Sequence, residues 1–505
     1  MFEGARARGY ARGHVSIFDS SLALVRQVRA QNGVSNLDQH ESHLSRDGAS
    51  VMATIYHPER YDLSEQNITT GQGWLQNCVF QRIEIDTGRL LFSWSAIDHV
   101  PLSDGYVPPN STEVVGSGLS AGSPWDYFHM NSIDENSDGD YLISARHANT
   151  IYKVSGADGN IIWRLGGRSS DFNFLDGLNF SSQHDARWVS TNASTNIISL
   201  FDNASNGFQS TATRSSGMII KLDHSVTPPT ASLLRSFPSP DDPNDASASQ
   251  SASQGNIRLL DPENWQTSHA FANWGNRPYV TEHDSAGAII FQANIRSDYA
   301  CGPMNYRAYK VNVTTTPRDA PALYTYSRST DSSTIYYMSW NGATEVRQWR
   351  ILGRQGCDQN WTSVAIVNKN GFETKFRAGR YWEYGMVEAI GPDGNGIRNS
   401  STQGTRTFVP SPLLAQSCNE DGCETAEEYV EPTAQVTIAE MREECPAPAG
   451  DYSQNLTDTS SSGTGGDSRS ESASVSDNVA AELTMIAGKY WYWILLIGGM
   501  WLVMV

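Results

Sequence analysis

HESHLSRDGASVMATIY (His40–Tyr56), HMNSIDENSDGDYLISAR (His129–Arg146) and HDARWVSTNASTNIISLFD (His184–Asp202) each read as a histidine, a polar turn several residues on, and then an apolar strand. A fourth copy, YVTEHDSAGAIIFQANI (Tyr279–Ile295), sets Tyr279 where the histidine stands. Between copies lies a second unit, DTGRLLFSW and ADGNIIWRLGG, in which Phe92 and Trp163 follow the turn glycine at the same spacing. Short apolar runs broken by Asp-Gly, Thr-Gly and Asn turns indicate consecutive antiparallel hairpins. From Gly13 to about residue 320 no segment of helical length carries a 3.6-residue period. Repeated four-stranded sheets of ~40–50 residues predict a β-propeller, and residues 1–320 accommodate six blades. Equivalent positions of successive blades face one axial channel. His40, His129 and His184 are therefore expected to converge there.

Outward from this repeat, the pattern changes. Residues 237–257 (FPSPDDPNDASASQSASQGNI) are polar and of low complexity, and read as a long surface insertion within a blade. Residues 321–410 have the length and alternation of a small β-sandwich resembling a fibronectin type III module. Residues 411–478, acidic and rich in Ser, Thr and Gly, hold too little apolar surface to fold and read as a disordered stalk. Residues 479–505 end in YWYWILLIGGMWLVMV, a hydrophobic segment short for a bilayer crossing, which takes ~20 residues. It reads as a lipid-anchor (GPI) signal or a transmembrane tail. The N-terminal MFEGARARGYARGHVSIFDSS lacks the apolar core of a signal peptide, so a truncated start is expected, with the blade strands before His14 missing.

Composition narrows the function. The 505 residues carry a formal charge of −19 with 36 Lys and Arg, which excludes a basic nucleic-acid surface. High Gly, Ser, Thr and Asn with 14 Trp fits a β-rich secreted protein. Sequons at Asn67, Asn110, Asn179, Asn192, Asn203, Asn312, Asn360, Asn399 and Asn455 fit a glycoprotein of the secretory pathway, displayed at the cell surface or its extracellular face and attached to the membrane by the C-terminal segment. Six cysteines allow 15 pairings. Cys418 with Cys423 and Cys301 with Cys357 are the favoured ones.

Of the histidines, His14, His43, His57, His99, His224, His269 and His283 read as satisfied turn or core residues, whereas His40, His129 and His184 share a repeat position. Asn131 stands two residues after His129, on the same side of an extended strand. Strand alternation places Arg146 in the channel and His147 outside it. Three imidazoles with an open fourth position are suited to a catalytic zinc ion, although Arg146 beside a divalent ion is repulsive. Alternatively these groups form an anion pocket in which one neutral imidazole is the nucleophile and the others donate to developing negative charge. Asp134-Glu-Asn136-Ser-Asp138-Gly139 matches half of a calcium loop, yet Ala145 stands where its bidentate Glu belongs, so a hairpin turn is the better reading. Trp125, Tyr127 and Phe128 read as core, with stacking on an aryl substrate as the alternative.

DYFHMNSIDENSDGDYLISARHANTIYKVSGADGNIIWRLGG, with DQHES upstream and SSQHDARW and SLFDN downstream, resembles the fungal branch of the arylsulfotransferase family from about His14 to Ile295. The specific part is the order His, His-x-Asn, Arg, His. The resemblance implies a propeller that moves a sulfuryl group from an aryl sulfate ester to a phenol without a nucleotide donor. His184 would become a transient sulfohistidine, with His40 and His129 catalytic beside it and Asn131 and Arg146 binding substrate. Two half-reactions at one histidine imply ping-pong kinetics. No cofactor or metal is implied, and a monomer is expected. Two alternatives stand beside this enzyme: a non-catalytic glycosylated cell-surface adhesion propeller, and a metal-dependent hydrolase using His40, His129 and His184.

Overall fold

The structure, a computed structural model, describes residues 2–7, 9–68, 72–110, 115–240, 249–277, 279–295, 304–410, 493–497 and 501–503. The described residues contain strands, turns and short 3₁₀ segments, and no α-helix. Two compact units divide the chain: residues 1–19, 23–312 and 481–505 form the first, and 20–22 with 313–480 the second.

Six sheets make up the first unit among the described residues, as the propeller reading requires. The first sheet holds Phe2–Ala7, Tyr10–Phe18 and Leu24–Val28. Its ladder sets Glu3 of Phe2–Ala7 opposite His14 of Tyr10–Phe18. Two four-stranded meanders follow: Ser42–Leu44, Ser50–Tyr61, Gly73–Glu84 and Leu90–Ser95, then Met130–Glu135, Tyr141–Ala145, Thr150–Val154 and Ile161–Gly166. The fourth comprises His184–Thr191, Thr195–Asp202, Ser216–Asp223 and Thr230–Pro238, to which Asn173–Phe174 adds in parallel. Asn256–Leu259, Ala270–Asn273, Tyr279–His283 and Ile289–Asn294 form the fifth. In the sixth, Arg307–Val311 pairs with Trp493–Ile497, which pairs in turn with Trp501–Val503.

Neighbouring sheets pack face on face, the second on the third, the third on the fourth, and onward to the sixth. Both faces of a middle strand therefore meet protein. Tyr141–Ala145 is buried at every position for that reason, and its apolar run does not alternate. Two apolar interfaces result: Phe80, Trp94, Phe128, Tyr141 and Tyr152 between the second and third sheets, and Leu142, Trp163, Leu200 and Ile220 between the third and fourth. Phe92 and Trp163 occupy matching fourth strands and pack against these two cores.

In the second unit, Ala322–Tyr326, Ile335–Ser339 and Glu373–Arg377 form one sheet, while Thr362–Asn368, Gln348–Arg354, Tyr384–Ile390 and Gly396–Asn399 form the other. Thr405–Arg406 adds to Tyr384–Ile390 as a fifth strand of that sheet, and Tyr336, Met338, Trp349, Trp382 and Val387 fill the space between the two sheets, giving a β-sandwich. Its compact unit begins at Val313, earlier than the expected 321.

Of residues 237–257, the first two end the last strand of the fourth sheet and the last two open the first strand of the fifth, residues 241–248 lie outside the described residues, and Ser249, Ser251 and Asn256 are buried. Tyr279 opens the third strand of its sheet, so it is not the equivalent of the histidines. Within the C-terminal segment the described residues are strands, and among the described residues no helix is long and apolar enough to cross a membrane. Residues 411–478, with the Cys418–Cys423 pairing, lie outside the described residues, as does Cys301. Cys357 is disulfide-bonded and Cys78 is free and buried.

Candidate active site

His40, His129 and His184 stand at the entry to the first strands of the second, third and fourth sheets, and all three line one cavity of about 520 Å³. The shared repeat position thus becomes a shared location. Two further first strands contribute at the same register: Gln254 before Asn256–Leu259, and Tyr306 immediately before Arg307–Val311. The His40 and His129 rings meet edge to face at 4.9 Å between centroids, and Tyr306 lies 5.4 Å from His40 and 6.4 Å from His184. Left-handed backbone collects here, at His129 (φ 54), Ser182 (φ 53), Asp185 (φ 58), Ala204 (φ 55) and Gln254 (φ 65). Strained conformations held by their surroundings gather at functional sites.

Each histidine is oriented by a partner on Nδ1. Asp126 accepts both the His129 backbone N–H (2.9 Å) and Nδ1–H (2.6 Å). Asp38 plays that part for His40, accepting its backbone N–H at 2.8 Å and contacting Nδ1. His184 differs, because its Nδ1–H is held by an amide, Asn203 Oδ1, at 2.6 Å and by the Ser182 carbonyl at 3.1 Å. Burial, with Arg146 close by, pushes His184 well below the ordinary imidazole value, and an amide partner cannot reverse that as a carboxylate would. His184 is therefore neutral, with Nε2 unprotonated and facing the Gln254 N–H at 3.3 Å. Burial, with His40 and Arg146 beside it, likewise drives His129 well down.

Arg146 reaches the cavity as expected; His147 does too, against expectation. The strand ends at Ala145, so alternation no longer governs the two residues that follow. His147 donates from Nδ1 to the Asp126 carbonyl (2.6 Å) and accepts Arg146 Nη1 on Nε2 (2.8 Å). Burial, with His129 nearby, lowers its pKa to about 3, consistent with a neutral acceptor. Arg146 Nη2 donates to the Ala252 carbonyl at 2.9 Å. Both partners are neutral, and among the described residues no carboxylate pairs with this guanidinium.

Asn131 does not join the site. The left-handed turn at His129 and a bulge between Met130 and Ser132 break the i, i+2 relation. Its amide is fully buried, donating to the Gln183 carbonyl (2.8 Å) and accepting from the Asp185 N–H (3.4 Å). Trp125, Tyr127 and Phe128 are core, with Trp125 Nε1 and the Tyr127 hydroxyl spent on carbonyls of Val107 and Val100. Aromatic surface at the cavity comes instead from Tyr106, Phe208 and Tyr306. Asn136 caps the 134–139 segment through Asp138 and Asp140 N–H, an ordinary hairpin turn.

Among the described residues one group places three metal-ligating side chains together, Asp126, His129 and His147; His40, His129 and His184 do not form one. The chemistry of that group does not fit a cation. Both His147 nitrogens are engaged, the Asp126 carboxylate already accepts His129 and Tyr10, and Arg146 adds a positive charge alongside.

One residue further along each first strand, the chain faces the other way. Glu41 follows His40, Asp185 follows His184 and Arg307 follows Tyr306, and these three meet Arg187 and Arg258 in one buried cluster. Arg307 Nη1 lies 2.8 Å from Glu41, Arg187 Nη2 lies 2.8 Å from Asp185, and Arg307 Nη2 also donates to the Asn131 carbonyl at 2.6 Å. Burial opposes the Glu41 charge, but Arg187 and Arg307 outweigh it and hold its carboxyl far below the usual range. Neither this cluster nor Tyr306 was read from the sequence. The recurring His–acidic dipeptide was the available signal for Glu41 and Asp185.

The profile of the arylsulfotransferase (ASST) family matches residues 1–296, more than half of the chain. The chain belongs to the arylsulfotransferase family. No curated protein matches it. Among solved structures, this arylsulfotransferase-family chain is similar to the major Malassezia sympodialis allergen Mala s 1 at 10% identity (65% of this chain, 82% of that one, TM-score 0.32). It is also similar to a protein of unknown function from Bacteroides caccae at 9% identity (73% and 95%, TM-score 0.26) and to Kuenenia stuttgartiensis hydrazine synthase at 9% identity (71% and 75%, TM-score 0.23).

Proposed function

We propose that this member of the arylsulfotransferase family moves a sulfuryl group from an aryl sulfate ester to a phenol through His184. The supporting observation is Arg146, a guanidinium lining the cavity with no carboxylate paired to it among the described residues, beside a neutral imidazole. Burial opposes the guanidinium charge and the more distant Asp126 offsets this only in part, so an entering anion is favoured there. In the first half-reaction His184 Nε2 attacks sulfur and the S–O bond to the aryl group breaks. The bonding pair leaves on the phenolate oxygen, which takes a proton from protonated His40. In the second, neutral His40 removes the proton of the incoming phenol, whose oxygen attacks sulfur and releases Nε2. His40 fits this role better than His129, because burial, with His40 and Arg146 beside it, opposes a proton on His129. Arg146 stabilises charge on the sulfuryl oxygens as it spreads in the transition state.

The test is a chromogenic aryl sulfate incubated with and without a phenol acceptor. Acceptor-dependent release is expected from the native chain, with parallel double-reciprocal plots. His184→Ala should abolish it, and Arg146→Gln should lower kcat/KM by about a hundredfold or more. Release that persists in His184→Ala would rule out the sulfohistidine route.

A secretory, glycosylated setting is part of the same proposal. Asn67, Asn110, Asn179, Asn192, Asn312, Asn360 and Asn399 are exposed, and Cys357 is in a disulfide. Asn203 is fully buried and holds His184, which removes it from the acceptor sites. Glycosidase treatment of the native protein should lower its apparent mass.

A further inference from the structure

Two buried hydrogen-bond donors of the cavity wall have no partner among the described residues: Arg146 Nε and the Tyr306 hydroxyl. The other orphaned donors, such as the Tyr152 hydroxyl and Trp188 Nε1, belong to residues outside this cavity. A buried donor left unmade is destabilising. Two at one site point to a ligand that satisfies both. Both side chains line the same cavity. Burial drives the Tyr306 phenol far above its ordinary range, so its proton stays on oxygen. No imidazole accepts from it either, and a hydroxyl without a base is a donor rather than a nucleophile. Its ring stands between His40 and His184, at the flank of any group passing between them.

We propose that the Tyr306 hydroxyl and Arg146 Nε donate to non-bridging oxygens of one tetrahedral anionic group, making Tyr306 a catalytic residue of this site. It fills the donor place that the sequence offered to Asn131, whose amide is committed elsewhere. The inference rests on the sulfuryl-transfer reading for the identity of the group. It needs only a tetrahedral oxyanion for its geometry. No covalent bond to Tyr306 forms.

Inorganic sulfate, titrated calorimetrically into the full chain and into Tyr306→Phe, tests this seat without turnover. Loss of the hydroxyl should weaken sulfate binding by about ten- to a hundredfold, and lower kcat/KM by a similar factor for every aryl sulfate in a series of leaving groups. Unchanged sulfate affinity overturns the proposal, as does native protein that binds no sulfate. A rate loss that grows with leaving-group pKa also overturns it, assigning the hydroxyl to the departing phenol oxygen. Sulfate binding that weakens in Tyr306→Phe while native protein turns over no aryl sulfate upholds the seat and sinks the sulfuryl-transfer reading. If Tyr306→Phe does not fold, Arg146→Lys reads the same seat, because it keeps the charge and removes Nε.

Discussion

His147 acts as a neutral brace. It ties Arg146 to the Asp126 carbonyl, and its pKa of about 3 lies below the ordinary 6.5 because burial and its neighbours oppose a charge. A folded-state value below the unfolded one means that the unfolded chain binds the proton more readily. The stability this group contributes is present above about pH 6.5 and is lost as pH falls toward 3, at up to about 1.4 kcal/mol per unit. Denaturant titration at several pH values should find His147→Gln less stable than the native chain at pH 7, with a shallower decline into acid. Parallel curves would count against a neutral His147. His40, His129 and His184 were legible because a repeat fixes register. Asn131 and His147 were misplaced because the strand rules used for them stop at the left-handed His129 and after Ala145. Tyr306 shares the register without sharing the residue type, so a search for recurring histidines passes over it.

At the scale of the element, the linker from the fourth sheet to the fifth builds one wall of the site. Asn203 Nδ2 donates to the Ser251 and Gln254 carbonyls, at 2.7 and 2.9 Å, while its Oδ1 holds His184. The nucleophile and the wall are thus positioned by one amide. Gly255 makes the close approach possible: at φ 102 it enters a region disfavoured for side chains, and a β-carbon there would stand 2.5 Å from the Phe201 ring. Gly255→Ala should destabilise the first unit by more than about 1 kcal/mol, and should slow aryl sulfate turnover beyond what the stability loss explains, because Gln254 N–H moves with it. Thermal melting and steady-state rates on the same preparation check both. Low complexity concealed this element. Small polar residues such as Ser249 and Ser251 read as solvent-facing by composition, yet their hydroxyls donate to the Pro240 and Ser253 carbonyls, which is what lets them be buried.

At the scale of the molecule, the six-sheet architecture was readable from turn spacing, since each hairpin is local. The charge cluster was not, because Glu41 and Arg307 are 266 residues apart in sequence. Its partners come from the second, third, fourth, fifth and sixth sheets, so it ties blades that no ladder joins. Removing the Glu41 carboxylate leaves Arg187, Arg258 and Arg307 to share Asp185. Glu41→Gln should cost about 3–5 kcal/mol and lower the melting temperature of the first unit, whereas an exposed pair such as Arg89–Glu84 should be worth under about 1 kcal/mol. Equal effects from the two would refute the cluster's role as a tie. The adjacency of His40 to Glu41, His184 to Asp185 and Tyr306 to Arg307 carries a consequence for how such a protein can change over generations. Reagent and rivet occupy neighbouring letters but opposite sides of the backbone, so a mutation can exchange a reagent while every rivet stays in place. A scaffold written this way can lose one chemistry and acquire another with its blades still locked together.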